Sequence, residues 1–115
     1  MAAEKNFENR LKKFLDDEGC WFVKFFANAY TKSGIPDLLV CCNGYFVAVE
    51  VKAPNGKPSE LQKRNIKLIN ENNGFGVVLY PDQFDDFKEL IQHLNYYESV
   101  AARNICLKIN ERWDK

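Results

Sequence analysis

Asp37, Glu50 and Lys52 stand where a buried strand pair would more easily hold apolar residues, within the stretch GIPDLLVCCNGYFVAVEVK, residues 34–52. Asn43 and Gly44 separate two apolar runs, and Asn-Gly in that position is the strongest short-range signal for a two-residue type I′ hairpin. With those two residues as the loop, Cys42 faces Tyr45, Leu39 faces Ala48, Leu38 faces Val49 and Asp37 faces Glu50, provided no bulge intervenes. Directly opposed side chains have Cβ atoms about 4.5–5.5 Å apart. Two carboxylates at that separation repel by roughly 3 kcal/mol at an effective dielectric of about 20. A divalent cation between them turns the penalty into a binding site, and hard oxygen ligands on a sheet rim suit Mg2+ or Mn2+ rather than zinc.

Lys52 lies two residues past Glu50 and so shares its face, while the backbone carbonyl of Val51 between them is a further candidate ligand. An ammonium there can position an attacking water and help lower its pKa, an arrangement suited to phosphodiester hydrolysis. A plainer account has Asp37 merely starting a strand, with Glu50 and Lys52 paired on an exposed face. That account suffices for any one residue; all three at this register favour a site.

The elements that must position these residues are legible around them. EKNFENRLKKFLDDEG has Phe7, Leu11, Phe14 and Leu15 at helical spacing, with Gly19 as a stop. CWFVKFFA, interrupted by Lys24, reads as a strand. Gly34 offers a positive φ in the following loop, and Pro36 stands at the mouth of DLLVCC, where a missing N–H does least harm. After YFVAVEVK and the loop APNGKP, SELQKRNIKLINENNG reads as a helix with Ser59 as N-cap and Gln62 completing a capping box. Leu61, Leu68 and Ile69, with Asn65 between, mark its expected inner face, and Asn73-Gly74 its end. FGVVLY is a short strand, and PDQFDDFKELIQHL a helix with Phe84, Phe87, Leu90, Ile91 and Leu94 as its buried stripe. Beyond Tyr96 the pattern blurs: Ile105, Ile109 and Trp113 favour a helix, but NICLKI also fits a strand. The order α-β-β-β-α-β-α predicts an α/β fold, a mixed central sheet flanked by helices, in one domain over residues 1–115.

Of the 115 residues, 46% are apolar and 28% charged, as expected of a globular chain rather than a disordered one. The start, MAAEKNFENR, lacks the basic-then-apolar pattern of a signal peptide, and no window has the ~18 uncharged apolar residues of a membrane span. Cys20, Cys41, Cys42 and Cys106 form no CxxC pair, and adjacent Cys41 and Cys42 point to opposite faces of a strand. Free thiols packed as small hydrophobes suit a reducing cytoplasm, so a soluble cytoplasmic protein is expected, with no membrane partner. Sixteen basic and sixteen acidic residues cancel, so bulk charge does not announce a nucleic-acid binder. Their distribution says more: residues 24–67 carry seven basic side chains against three acidic ones, two of which are Asp37 and Glu50. Such a local positive field can attract a polyanion, though a solvated charged face accounts for it too.

The combination of GIPD, a hairpin and EVK resembles the PD-(D/E)XK nuclease superfamily. Within it the chain is most similar to stand-alone virus-type replication-repair nuclease (VRR-NUC) domains, from about Phe7 to Phe87. The resemblance implies a restriction-endonuclease-like α-β-β-β-α-β core with an extra C-terminal helical segment. Asp37 and Glu50 match metal ligands, Lys52 the catalytic lysine, and Gln62 a glutamine that supports the site. Glu8 matches an N-terminal acid that reaches the metal directly or through water, against a plain reading as a solvated helix acid. Gly34 and Pro36 match residues that shape the motif. The implied activity is a Mg2+- or Mn2+-dependent endonuclease leaving 5′-phosphate and 3′-hydroxyl ends, acting on branched DNA like Holliday-junction resolvases, in bacterial or phage-infected cytoplasm.

Resolution of a four-way junction needs two sites related by a two-fold axis, so a homodimer is expected. Phe22, Phe25, Phe26, Tyr96, Tyr97 and Trp113 supply candidate interface area beyond what one small core needs. Lys24, Lys32, Lys57, Lys63, Arg64 and Lys67 are candidate DNA-backbone contacts, which give affinity without reading sequence. With no recognition helix or zinc module in sight, the cutting is expected to select structure. His93 is expected at the surface without a catalytic role. The alternatives are a non-catalytic DNA-binding replication or repair module, a flap- or nick-directed nuclease, and a sequence-specific restriction-type nuclease.

Overall fold

Asn43 and Gly44 adopt φ of 51° and 86°, the paired positive values that a type I′ turn requires, and the sheet is built outward from them. The structure is a computed structural model describing residues 2–114. Strand β2 (Leu38–Cys42) and strand β3 (Tyr45–Val51) pair antiparallel with Cys42 opposite Tyr45, Leu39 opposite Ala48 and Leu38 opposite Val49. This is the register expected from the turn. The ladder stops there, however. Asp37 lies one step outside it, and its carboxylate Oδ2 accepts the Val51 N–H at 2.8 Å, a bond that a backbone carbonyl would otherwise take.

Strand β1 (Trp21–Lys24) adds antiparallel to β2, and β4 (Phe75–Leu79) adds parallel to β3, giving the mixed order β1-β2-β3-β4. Strand β1 is shorter than the expected Cys20–Ala27; only Phe25 N–H, donating to Asp37 O at 2.8 Å, prolongs the pairing. Alternation sends Leu38, Val40, Cys42, Val47, Val49 and Val51 into the main core, with Phe75, Val77 and Leu79 from β4. Helix α1 (Ala2–Asp17) covers that face through Phe7, Leu11 and Leu15, and helix α3 (Phe84–Asn95) through Phe84, Phe87, Leu90, Ile91 and Leu94, the stripe expected from spacing.

Helix α2 (Glu60–Glu71) carries the parallel crossover over the opposite face. Its expected inner face is right at Ile69, which packs against Gly74 and Gly76, but needs correction elsewhere: Leu61 and Leu68 are exposed, and Ile66 is the fully buried residue, packed with Val78 and Tyr80. The helix lies so close to β4 that a β-carbon on Gly76 would meet the Ile66 carbonyl oxygen at 3.2 Å, which selects Ile66 as the contact.

The C-terminal segment is helix α4 (Ser99–Asn110), not a strand. Ile105 and Ile109 lie on it as their spacing favours, Trp113 lies past its end, and its buried apolar stripe is Ala102, Cys106 and Ile109, with Ile105 packed beside it. A fifth strand is unnecessary because side chains serve the free edge of β4. Asn70 brackets Gly76, accepting its N–H and donating to its carbonyl, both at 2.9 Å; Asn110 donates to the same carbonyl and accepts the Val78 N–H. The Gly76 N–H and carbonyl and the Val78 N–H are thereby satisfied without another strand. Cys42 is buried and Cys41 exposed, as alternation requires, and all four cysteines are free. Among the described residues no helix is long and apolar enough to cross a membrane. The architecture is a mixed four-stranded sheet flanked by helices, consistent with the restriction-endonuclease-like fold.

Candidate active site

The charged residues gather where β2 begins and β3 ends. Gly34 makes this possible. At φ 77° it passes under the first turn of α2, where a β-carbon would lie 2.8 Å from the Leu61 carbonyl carbon and 2.9 Å from Leu61 Cβ. Asn65 fastens the same turn to α2 by donating to the Gly34 and Ser33 carbonyls at 2.8 and 3.2 Å. The start of α2 is thus clamped to the GIPD segment, and Gln62 is delivered to the end of β3.

Gln62 performs both roles that its position allowed. Its Oε1 accepts the Ser59 N–H at 2.8 Å, Ser59 Oγ accepts the Gln62 N–H at 3.2 Å, and its Nε2 donates to Glu50 Oε2 at 3.2 Å. Lys52 Nζ lies 3.4 Å from that same Glu50 oxygen, so the two share a face. Glu50 is only 3% exposed, and its other oxygen, Oε1, is buried with no hydrogen-bond partner among the described residues. Burial and then the negative charge of Asp37 push the Glu50 carboxyl up to about 8, against the opposing pull of Lys52.

Asp37 is oriented by the Val51 N–H on one oxygen and by Lys24 Nζ, 3.3 Å away, on the other. In an extended strand the N–H and C=O of one residue lie on the same edge, so the Val51 carbonyl is also directed towards the edge that Asp37 occupies. Glu8, buried on α1 on the other side of the sheet, meets the cluster only through Lys24, whose ammonium is 2.7 Å from Glu8 Oε1; Lys12 Nζ holds Oε2 at 3.2 Å. Burial works against ionised Glu8, but the two ammonium groups outweigh it and keep the carboxyl below its ordinary range. Burial likewise opposes ionised Lys24, and Glu8 and Asp37 reverse that, holding the amine above its ordinary range. Lys24, expected on the DNA-facing surface, therefore points into the carboxylate cluster. Its charge is visible in the sequence; its partners are set by α1 packing, which no local pattern encodes.

Among the described residues, no three His, Cys, Asp or Glu side chains converge closely enough to hold a metal ion, so Glu8 is not in ligating distance together with Asp37 and Glu50. The Asp37 and Glu50 carboxylates, the latter with its buried Oε1 unpartnered, and the Val51 carbonyl nevertheless form a hard, anionic donor set. It fits a divalent cation of the magnesium class.

The remaining candidates for backbone contact lie outside this cluster. Lys32, Lys57, Arg64 and Lys67 are exposed and Lys63 half-buried. Lys63 pairs with Glu60 at 3.6 Å and Lys67 with Asp114 at 3.4 Å. His93 sits near the end of α3, Nδ1 2.9 Å from Glu98 Oε1, well away from the site elements. Apolar exposure also departs from expectation. Phe26, Tyr96 and Tyr97 are exposed as expected, but Phe22 packs against the core and Trp113 is half-buried, whereas Trp21, Val23 and Phe46 are exposed together on the face of the sheet beside α2 that no helix covers. The strand alternation of Trp21 and Val23 is the available clue.

No curated protein and no solved structure matched the chain. Residues 2–80, from the start of α1 through β4 and including Glu8, Asp37, Glu50, Lys52 and Gln62, match the family model described as archaeal Holliday junction resolvase. The fold, the spacing of the acidic pair and this match over most of its length agree: the chain belongs to the archaeal Holliday junction resolvase family, a PD-(D/E)XK-like nuclease family.

Proposed function

We propose that the protein is a Mg2+- or Mn2+-dependent endonuclease that cuts four-way and related branched DNA, leaving 5′-phosphate and 3′-hydroxyl ends. The observation that carries this reading is the meeting of Glu50, its Oε1 buried without a partner, with Asp37 and Lys52 at one sheet end. Asp37, Glu50 and the Val51 carbonyl would hold the cation, with Glu8 joining after Lys24 moves aside. The bound cation would supply electrophilic stabilisation of charge on the phosphate oxygens and favour deprotonation of the nucleophile. Lys52 orients the attacking water and offsets developing negative charge. Gln62 fixes the rotamer of Glu50, and Lys32, Lys57, Lys63, Arg64 and Lys67 hold the DNA backbone.

The reading includes a homodimer, supported by the uncovered Trp21, Val23 and Phe46 face, and action in the cytoplasm, supported by the free cysteines. It also includes kinship with stand-alone virus-type replication-repair nuclease domains, supported by the GIPD and EVK spacing.

Labelled four-way junction, flap, nicked and linear duplex DNA incubated with and without Mg2+ or Mn2+ provides the test. Metal-dependent cutting strongest on the junction, and abolished in Asp37→Ala and Lys52→Ala, is expected. Cutting that persists in both variants removes the site. Tight binding with no cutting of any substrate transfers the assignment to a non-catalytic DNA-binding module.

A further inference from the structure

The loop that follows Lys52 forms one wall of a second feature. Residues 53–58 turn back through a Gly56 N–H to Ala53 O bond of 2.9 Å, and the turn packs on the Lys52 stem, where a Gly56 β-carbon would lie 3.3 Å from Lys52 Cδ. Tyr80 at the end of β4 donates its hydroxyl to Gly56 O at 2.7 Å. Between this loop and the segment after α4 lies an open recess of about 450 Å³, lined by Lys57, Lys63, Tyr80, Arg112 and Trp113 among others.

Three cations and two aromatic rings converge there. The Arg112 guanidinium lies 3.8 Å from the Tyr80 ring centroid, a stacked cation–π arrangement. Trp113 packs on Ile66, Val78 and Tyr80 and spends its indole N–H on Asn110 Oδ1 at 2.9 Å, so its polar handle is satisfied internally and the ring is held as a wall. The acids at the rim are weak competitors: Glu60, paired with Lys63, is 91% exposed in its side chain, and Asp82, paired with Arg112, is also exposed. The first turn of α2 serves both places, because Gln62 reaches Glu50 while the next residue, Lys63, lines the recess. Arg112 and Trp113 lie beyond residues 2–80, the part of the chain that matches its family.

We propose that this recess is a subsite for the DNA strand flanking the scissile phosphate. Arg112 and Lys57 take a backbone phosphate, and Trp113 takes the adjoining sugar or base, while Tyr80, buried beneath Arg112, holds the guanidinium in place. Planar guanidinium and ammonium donors suit phosphate oxygens, and aromatic walls beside a cationic groove accept nucleotides without reading their sequence. The inference rests on DNA being the substrate, but not on its being cut.

The test is fluorescence anisotropy of four-way junction DNA with the whole protein in EDTA, across a series of NaCl concentrations. Lys57→Gln/Arg112→Gln is expected to weaken binding about tenfold and to flatten the slope of log K against log salt by about one, about 0.9 for the one phosphate no longer neutralised. Asp82→Asn, which releases Arg112, is expected to tighten binding about threefold, a gain that damaged folding cannot imitate. In a Trp21→Phe background, junction DNA is expected to quench the fluorescence of Trp113. Affinity and slope unchanged in the double variant overturn the subsite, as does weaker binding at an unchanged slope. A parent that binds but never cuts defeats the nuclease reading and leaves the subsite standing; a parent that binds no junction defeats both.

Discussion

Gln62 Nε2 donates to Glu50 Oε2 at 3.2 Å while the same side chain closes the capping box of α2 on Ser59. Helix initiation and site geometry thus share one residue, and two substitutions separate them. Gln62→Ala removes both roles and is expected to lower stability by about 1–2 kcal/mol in urea unfolding. Gln62→Glu keeps the cap but sets a carboxylate against Glu50. Near-parent stability with junction cutting reduced about tenfold or more is the expected result for it. Equal activity in Gln62→Glu and the parent would show that the bond to Glu50 has no part in catalysis.

Glu50 gives the metal-free protein a specific pH dependence. Its folded value near 8 lies above the ordinary carboxyl value of 4.5, so its contribution to stability is full below about pH 4.5 and is lost as pH rises through about 8. The loss is of the order of a few kcal/mol, at about 1.4 kcal/mol for each unit. Melting in EDTA at pH 5, 7 and 9 should show the parent falling relative to Glu50→Gln as pH rises. Parallel curves for the two proteins would contradict this environment for Glu50.

Metal uptake should carry the same proton. A cation binding ionised Glu50 near neutral pH displaces its proton, so calorimetric titration of Mg2+ or Mn2+ in buffers of different ionisation enthalpy should report release of about one proton per site, declining above pH 8. Glu50→Gln should show weaker binding and no such release.

Lys24 is a resident cation between Glu8 and Asp37. Lys24→Met leaves Glu8 buried with Lys12 as its remaining ion pair, and metal-free stability is expected to fall by about 2 kcal/mol, less than for a fully buried pair. The vacated position should tighten Mn2+ binding, measured directly by electron paramagnetic resonance. Unchanged Mn2+ affinity would mean that Lys24 does not compete for the site.

Assembly has its own test. Trp21→Glu with Phe46→Glu places charges on the uncovered sheet face without touching the carboxylates. Light scattering is expected to report a dimer for the parent and a monomer for the variant, with paired junction cuts abolished and Mn2+ binding retained. Dimers in both proteins would move the interface elsewhere.

The parts of this molecule that the sequence discloses are those fixed by local geometry. Asn43-Gly44 admits essentially one tight turn, and that turn sets the β2–β3 register; Ser59 with Gln62 announces a helix start; Phe84 to Leu94 has a single apolar stripe. Helix α2 misleads because it has two apolar faces. Ile66 and Ile69 meet Gly76, while Leu61 lies over the Gly34 turn and Leu68 borders the open sheet beside Leu39 and Phe46; the missing side chain at Gly76 lets the first face approach. The turn brings Asp37 to the end of β3 beside Glu50, yet a register argument does not reveal that its side chain ends the ladder by taking the Val51 N–H. The partners of Lys24 and the route of residues 96–114 depend on packing between distant segments.

The asparagines that dress β4 have one more effect. A ribbon sealed along one margin can be lengthened by a like molecule only along the other, and two molecules joined there exhaust what either can offer. Growth by strand addition therefore terminates at a pair.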